Sequence, residues 1–542
     1  MVQKKRENWG SQIGAILAVA GCAIGLGNFL RFPGQAALYG GGAFMIPYFI
    51  AFLLLAIPLS WAEWALGRSG GRMGFNSVPG IFRSAGKNRV WAYIGTIGAI
   101  IPLGISVYYV YIQAWCLAYA LQYLTMIFHT VGFEGFSFLS QADAGARVDD
   151  YGAFFANFIG INENGAVLKN GILSPLILTL LFCFVFNYTL IYRGISKGIE
   201  AFCKIAMPLL LVCSFLILFR VVTLGNPTGI EGQSFLDGLG FMWNPAQKGG
   251  SVWDTLSNPE VWLAATSQIF FSVSLGFGLI VTYASYVKSN DDIALSGLTS
   301  TSGNEFCEVV LGGLMIIPPA IMFLGLSALT PESLGSSFSM GFVVLPNVFE
   351  MMPGGPVFGF LFFFLLFLAA VTSAISMSQP AVAFLEEALN FSRKASVITI
   401  ALICAVGTSL VGYFSKNLLV LDTFDFWIGS VGLFVLATLQ TVLVAWIWGE
   451  DKMVAELNRG AKMKIPRFIG FVLKYISTPY LVVILCLWCW KKSGAYLRQA
   501  WNDPIVQIAL GFLATVAIFF LVVTYIAEDK LGGIENEEGG ES

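Results

Sequence analysis

Residues 21–28 read Gly21-Cys22-Ala23-Ile24-Gly25-Leu26-Gly27-Asn28, three glycines inside an apolar stretch long enough to be one helix. A second interruption, Ser272-Val273-Ser274-Leu275-Gly276-Phe277-Gly278, lies in another such stretch. With 57% hydrophobic residues, 11% charged residues and a mean hydropathy of +0.76, the chain is too poor in charge for a soluble domain and reads as a polytopic membrane protein. Hydrocarbon tolerates a broken helix only where the freed backbone is buried in protein or lines a cavity. Matched interruptions in two halves of a chain therefore point to the substrate site of a transporter.

A spanning helix takes about 20 mostly apolar residues. Twelve stretches qualify: 12–37, 41–68, 91–124, 171–191, 197–221, 261–287, 296–326, 356–388, 396–413, 424–449, 467–490 and 504–527. The connections 125–170, 222–260 and 327–355 read as long polar-containing loops. Lys and Arg concentrate in the loops that share a side with the N-terminus, which places both chain ends in the cytoplasm. No secretory signal peptide is expected, because the first apolar run is longer than a signal sequence's. If spans 1–5 and 6–10 are two repeats, the broken spans 1 and 6 correspond. Five spans per repeat is an odd number, so the second repeat is inverted.

The expected fold is all-α, with twelve transmembrane helices in a 5+5 inverted repeat with broken helices 1 and 6, plus two additional helices. The expected divisions are a cytoplasmic N-terminal segment 1–11, a first five-helix repeat 12–222 and a second, inverted repeat 261–449. Helices 11 and 12 follow in 467–527, then a disordered acidic cytoplasmic tail 528–542.

Several functions are excluded. The net charge is −2, and no basic stripe or aromatic stacking motif invites nucleic acid. His129 is the single histidine and reads as a surface loop residue. The nine cysteines all lie in apolar segments and read as small hydrophobes, Cys486-x-x-Cys489 included. Without a metal-ligand cluster or a nucleophile–base pair, the chain is not expected to be an enzyme.

Unwinding a helix in the membrane creates two half-helix ends. One presents N–H groups and partial positive charge, and the other presents carbonyls. A substrate carboxylate suits the first and a dehydrated Na⁺ suits the second. Oxygen-bearing side chains lie in and near the breaks: Asn28, Ser272, Ser274 and Asn304, with Thr372-Ser373 in span 8. Glu308 lies one helical turn after Asn304 on the same face of span 7. A carboxylate there is costly and is functional by default.

Longer motifs now carry a resemblance. They are Arg6-Glu7-Asn8-Trp9, the run from Gly25 to Pro33, Gly40-Gly41-Gly42-Ala43-Phe44, Tyr108-Tyr109-Val110-Tyr111, the run from Arg193 to Glu200, and Gln268-Ile269-Phe270-Phe271. In this order they resemble the neurotransmitter:sodium symporter family, closest to its bacterial leucine-transporting members, from about Lys5 to the twelfth span. The resemblance implies sodium-coupled symport of a neutral, aliphatic or small L-amino acid into the cell by alternating access. It implies two Na⁺ ions and no chloride, and a multi-pass protein of the cell (inner) membrane, monomer or homodimer, in contact with lipid.

The resemblance also implies the site. The first Na⁺ falls to the Ala23 carbonyl, Asn28, Ser272, Asn304 and the substrate carboxylate. The second falls to the carbonyls of Gly21, Ile24 and Ala369 with the hydroxyls of Thr372 and Ser373. The substrate carboxylate goes to the amides near Leu26 and Gly27 and to the Tyr109 hydroxyl. Its amino group goes to oxygens of Ala23, Phe271, Ser272 and Ser274, and its side chain to Ile105, Tyr109, Phe271, Phe277, Ser373 and Met377. Position 22 carries cysteine where leucine-transporting members carry asparagine. No acidic residue occupies Cys22, Ala23 or Ile24, which disfavours a substrate lacking its own carboxylate. Arg31 with Asp425 is the implied outer gate and Arg6 with Glu387 the inner one. Glu308 takes the place of the small hydroxyl residue of chloride-dependent members and supplies the anion's charge itself.

Overall fold

The computed structural model describes residues 8–130, 148–169, 174–245, 251–329 and 338–532. Among these every regular element is helical. Ten helices are long and apolar enough to cross a membrane. Numbered as spans 2–5 and 7–12, they are Gly42–Arg72, Arg89–Thr130, Pro175–Tyr192, Ile195–Leu224, Ile293–Leu324, Gly355–Ala388, Arg393–Tyr413, Lys416–Asn458, Phe468–Trp490 and Pro504–Ile526. Span 1 is the bent pair Gln12–Ala23 and Gly27–Leu38, whose halves meet at 45°. Span 6 is the split pair Pro259–Ser272 and Leu279–Ser285, neither half long enough to cross alone. Both broken helices are thus where the glycine-bearing interruptions put them.

The packing follows the inverted pairing of spans 1–5 with spans 6–10. Both halves of span 1 lie on span 7, and both halves of span 6 lie on span 2. Exchanging 1 with 6 and 2 with 7 turns one set of contacts into the other. Spans 3 and 8, equivalents in this scheme, form the most extensive helix pair. Spans 3, 7 and 8 are mostly buried in protein, whereas spans 4, 5, 9, 11 and 12 turn most of their surface outward. Exposed Phe182, Val185, Ile205, Phe219, Leu402 and Ile518 on those outer helices are side chains suited to lipid. All nine cysteines are free; seven are buried, and Cys486 and Cys489 face outward from span 11.

Several details differ from the sequence reading. His129 lies in the last turn of span 3 rather than in a loop, because that helix runs on to Thr130. The connection 327–355 is not all loop: Met340–Met351 is helical, and Met340, Phe342, Leu345 and Val348 are buried. Ser77 caps a short helix, Val78–Gly86, between spans 2 and 3. A helical segment Glu528–Gly532 follows span 12, so the stretch assigned to a disordered tail begins as helix. The N-terminal residues, segment 528–532 and the 76–86 connection share one face of the bundle. There Lys530 Nζ reaches Asn390 Oδ1 (2.6 Å) and Tyr93 OH donates to Glu528 Oε2 (3.5 Å).

π-helical turns recur where side chains must be aimed. Gly27–Arg31 carries Asn28 and Arg31, Phe306–Gly313 carries Glu308, and Asp425–Gly432 begins with Asp425. A π turn rotates the following side chains off the regular helical face and is a frequent device at functional sites.

Candidate functional site

In span 1 the helix stops at Ala23 because Ile24 is extended (ψ 92°). No residue of that break has a positive φ. In span 6 the chain turns through Ser274 (φ 57°), Gly276 (φ 73°) and Gly278 (φ 75°) before the helix resumes at Leu279. Ser274 Oγ donates to the Cys22 carbonyl (3.3 Å) and Ser373 Oγ donates to the same oxygen (3.2 Å), which joins spans 1, 6 and 8 at one atom.

Between the breaks lies a nearly filled cavity of about 10 Å³ lined by Cys22, Ala23, Gly25, Gly27, Tyr109, Phe271, Ser272, Ser274, Phe277, Ser373 and Met377. Nine of these were expected from sequence. Ile105 is buried but does not line the cavity, and Leu26 lines the neighbouring space while its N–H donates to Tyr109 OH (3.1 Å). Cys22 and Gly25 are additions. Gly25 is legible only from its surroundings: a Cβ there would sit 2.8 Å from both Ser373 Oγ and Tyr109 OH.

Beside the cavity is a buried cluster of oxygens. Asn28 Oδ1 accepts from the Gly25 N–H (2.9 Å). Asn28 Nδ2 donates to Asn304 Oδ1 (2.9 Å) and to Glu308 Oε2 (3.1 Å). Asn304 Nδ2 donates to Ser272 Oγ (2.7 Å), and the Ser272 hydroxyl donates to Glu308. Gln268 Nε2 reaches Glu308 Oε1 (2.8 Å). The three side chains assigned from sequence to one Na⁺ site thus meet, and Glu308 holds them together. Its carboxylate supplies the only formal negative charge among these four residues. Tyr48 and Glu305, joined by a hydrogen bond of 2.8 Å on the adjoining side of span 7, escaped the sequence reading.

The set assigned to a second ion also lies together. Gly21 abuts Thr372, its added Cβ falling 3.3 Å from the Thr372 Cβ, and the Ser373 hydroxyl reaches the Gly21 carbonyl (3.5 Å). Thr372 Oγ1 donates to the Ala369 carbonyl (3.0 Å), and Ile24, buried, ends the helix above.

The residues of the expected outer gate, Arg31 and Asp425, are not paired with each other in this structure. Arg31 stacks on the Phe271 ring (4.7 Å) and donates to Ser267 Oγ (3.1 Å), while Asp425 accepts from Tyr108 OH (2.7 Å). Both line a larger space of about 100 Å³ above the cavity, but they do not form an ion pair, each being held by another partner. Glu387 accepts from the N–H groups of Asn76 (2.6 Å) and Ser77 (3.0 Å) and from the Ser77 hydroxyl (2.6 Å), tying span 8 to the start of helix 78–86. Its implied partner Arg6 lies outside the described residues.

Two discontinuous helices whose breaks line one oxygen-bearing cavity in a bundle of this kind define a secondary transporter architecture. The comparisons agree. The chain matches the Sodium:neurotransmitter symporter family over residues 6–134 and 139–531, and it belongs to that family. An uncharacterised sodium-dependent transporter of Methanocaldococcus jannaschii is 28% identical over 529 residues, 97% of each protein. Another from Bacillus subtilis is 29% identical over 500 residues, 90% of this chain and 98% of that protein. Among solved structures, MhsT in complex with L-phenylalanine superposes with a TM-score of 0.72 at 29% identity, over 89% of this chain and 99% of that one.

Proposed function

We propose that this protein carries a neutral, aliphatic or small L-amino acid across the cell (inner) membrane together with Na⁺, by alternating access and without chloride. The observation that supports this most is the meeting of Asn28, Ser272, Asn304 and Glu308 beside the cavity where both helices break. In this reading the amide end of the Gly25–Gly27 segment and Tyr109 take the substrate carboxylate. The first Na⁺ binds between that carboxylate and the oxygens of Ala23, Asn28, Ser272 and Asn304. Each ligand completes the other's site, which is the coupling. A second Na⁺ binds at Gly21, Ile24, Ala369, Thr372 and Ser373. The repeats 12–222 and 261–449 move against each other about this region, and the face carrying both chain ends is cytoplasmic.

The apolar walls Phe271, Phe277 and Met377 select the side chain. A single methylene discriminates only about 1–3 kcal/mol in such a pocket, so related amino acids compete. A second reading extends the substrate to aromatic amino acids, on the likeness to a structure holding L-phenylalanine.

The test is uptake of a labelled amino-acid panel into proteoliposomes under an inward Na⁺ gradient, against K⁺ replacement. Na⁺-driven accumulation of aliphatic or small members supports the first reading, and preference for phenylalanine the second. Uptake indifferent to Na⁺ rejects the ion sites. Wild-type uptake should not change when chloride is removed. Glu308→Ser should lose at least about tenfold in chloride-free buffer, the scale of about 1.4 kcal/mol of lost charge stabilisation, and regain much of it with chloride.

A further inference from the structure

Glu63, on span 2, is fully buried. Its Oε1 accepts from the Gly276 N–H (2.8 Å) at the left-handed turn of span 6 and from Gln440 Nε2 (2.7 Å) on span 10. Among the described residues its Oε2 has no hydrogen-bond partner, and neither has Gln440 Oε1. Among the described residues no Lys or Arg forms an ion pair with Glu63.

A buried carboxylate without a countercharge is among the most expensive arrangements in a membrane interior. The two unpartnered atoms are both acceptors, and they belong to side chains already joined by one bond. A single proton on Glu63 Oε2 resolves both at once: the O–H becomes a donor, and Gln440 Oε1 is the acceptor left on the facing amide. Acid and amide then close a cyclic pair with every polar atom used, the condition under which a buried polar network stabilises a unique arrangement.

We propose that Glu63 is a resident proton-binding site: a neutral carboxylic acid in a cyclic pair with the Gln440 amide. It acts as a positioning residue that fixes Gly276 and the Phe277 wall of the cavity. Around it stand the Gly276 backbone from span 6, Gln440 from span 10 and the Cys22 thiol from span 1, none of them a cation. The site is separate from Glu308, whose oxygens are taken by Gln268, Ser272 and Asn28.

The experiment compares wild type with Glu63→Gln, full-length and in lipid, by infrared difference spectroscopy and thermal melting; neither needs the substrate. Glutamine replaces the acid atom for atom, its Nε2 donating where the O–H did. Expected is a protonated-carboxyl C=O stretch in the wild type that disappears in the variant, stays the same in Na⁺ and K⁺ buffers, and accompanies a melting temperature within about 3 °C of wild type, the scale of about 1 kcal/mol. No such band overturns the proposal. So does a band present only in K⁺ buffer, which would make Glu63 a Na⁺ ligand. A variant that folds but melts more than about 10 °C lower also overturns it, because then the charged form is the one required.

Discussion

The two broken helices use glycine for opposite reasons. In span 1 the backbone between Ala23 and Arg31 has no positive φ, so Gly25 and Gly27 are not there for conformational freedom. They provide space: side chains at these positions would meet Ser373, Tyr109 and Phe271. In span 6, Gly276 and Gly278 have φ values of 73° and 75°, and added Cβ atoms would also strike Ala437 (2.7 Å) and the Gly98 carbonyl (2.6 Å). One break is made by leaving room beside an almost ordinary backbone, the other by a backbone turn that few residues adopt. Equal spellings in the sequence therefore conceal a binding feature in one half and a folding feature in the other.

The contrast can be broken by substitution. The largest effect belongs to Gly276→Ala. Left-handed strain of about 1–3 kcal/mol adds to overpacking of about 1–3 kcal/mol, and the variant should lose several kcal/mol of stability. Detergent thermal melts measure this, and a variant as stable as wild type would remove the distinction. Gly25→Ala comes next. It should melt close to wild type yet bind substrate about ten- to hundredfold more weakly, the equivalent of about 1–3 kcal/mol of crowding at the cavity wall. Equilibrium binding in Na⁺ buffer reads this directly, and unchanged affinity would mean that Gly25 is not a cavity residue. The smallest effect is Ser274→Gly, which relieves a left-handed serine but gives up its bond to the Cys22 carbonyl. The two effects oppose, so stability should move by less than about 1 kcal/mol.

The positions of the breaks were legible because apolar runs and glycines are local signals. Glu308 was legible because a carboxylate in a span stands out by itself. Asn28, Ser272 and Asn304 were gathered by resemblance, and their convergence, across more than 240 residues between Asn28 and Ser272, appears only in the packed bundle. Glu63 stood out no less than Glu308 in composition. It lies near the polar end of span 2, in Ser60-Trp61-Ala62-Glu63, and nothing local announces its bond to an amide more than 370 residues away. The Arg31–Asp425 pair reads as complementary charge, but in this structure Phe271 and Ser267 hold one member and Tyr108 the other, an arrangement no local signal announces. The helix at Met340–Met351 was hidden because a connection only partly apolar resembles a loop until its buried face is seen.

Phe271 belongs to both the cavity and the larger space above it. On that side a single aromatic ring, with Arg31 resting on it, is a shared wall between the two. On the opposite side helix ends are tied together by Trp9 bonded to the Tyr283 carbonyl (2.9 Å), by Glu387 clasping residues 76–77, and by the buried pair Arg68–Glu456 (2.8 Å). The barriers therefore belong to different clocks. Swinging one side chain is a matter of picoseconds to nanoseconds when it is unhindered, whereas releasing several helix ends together is a collective motion of microseconds to milliseconds or slower. In the proposed cycle, traffic through the thin wall can reach equilibrium many times over before the thick one yields once, so the pace is set at the face of Trp9 and segment 528–532.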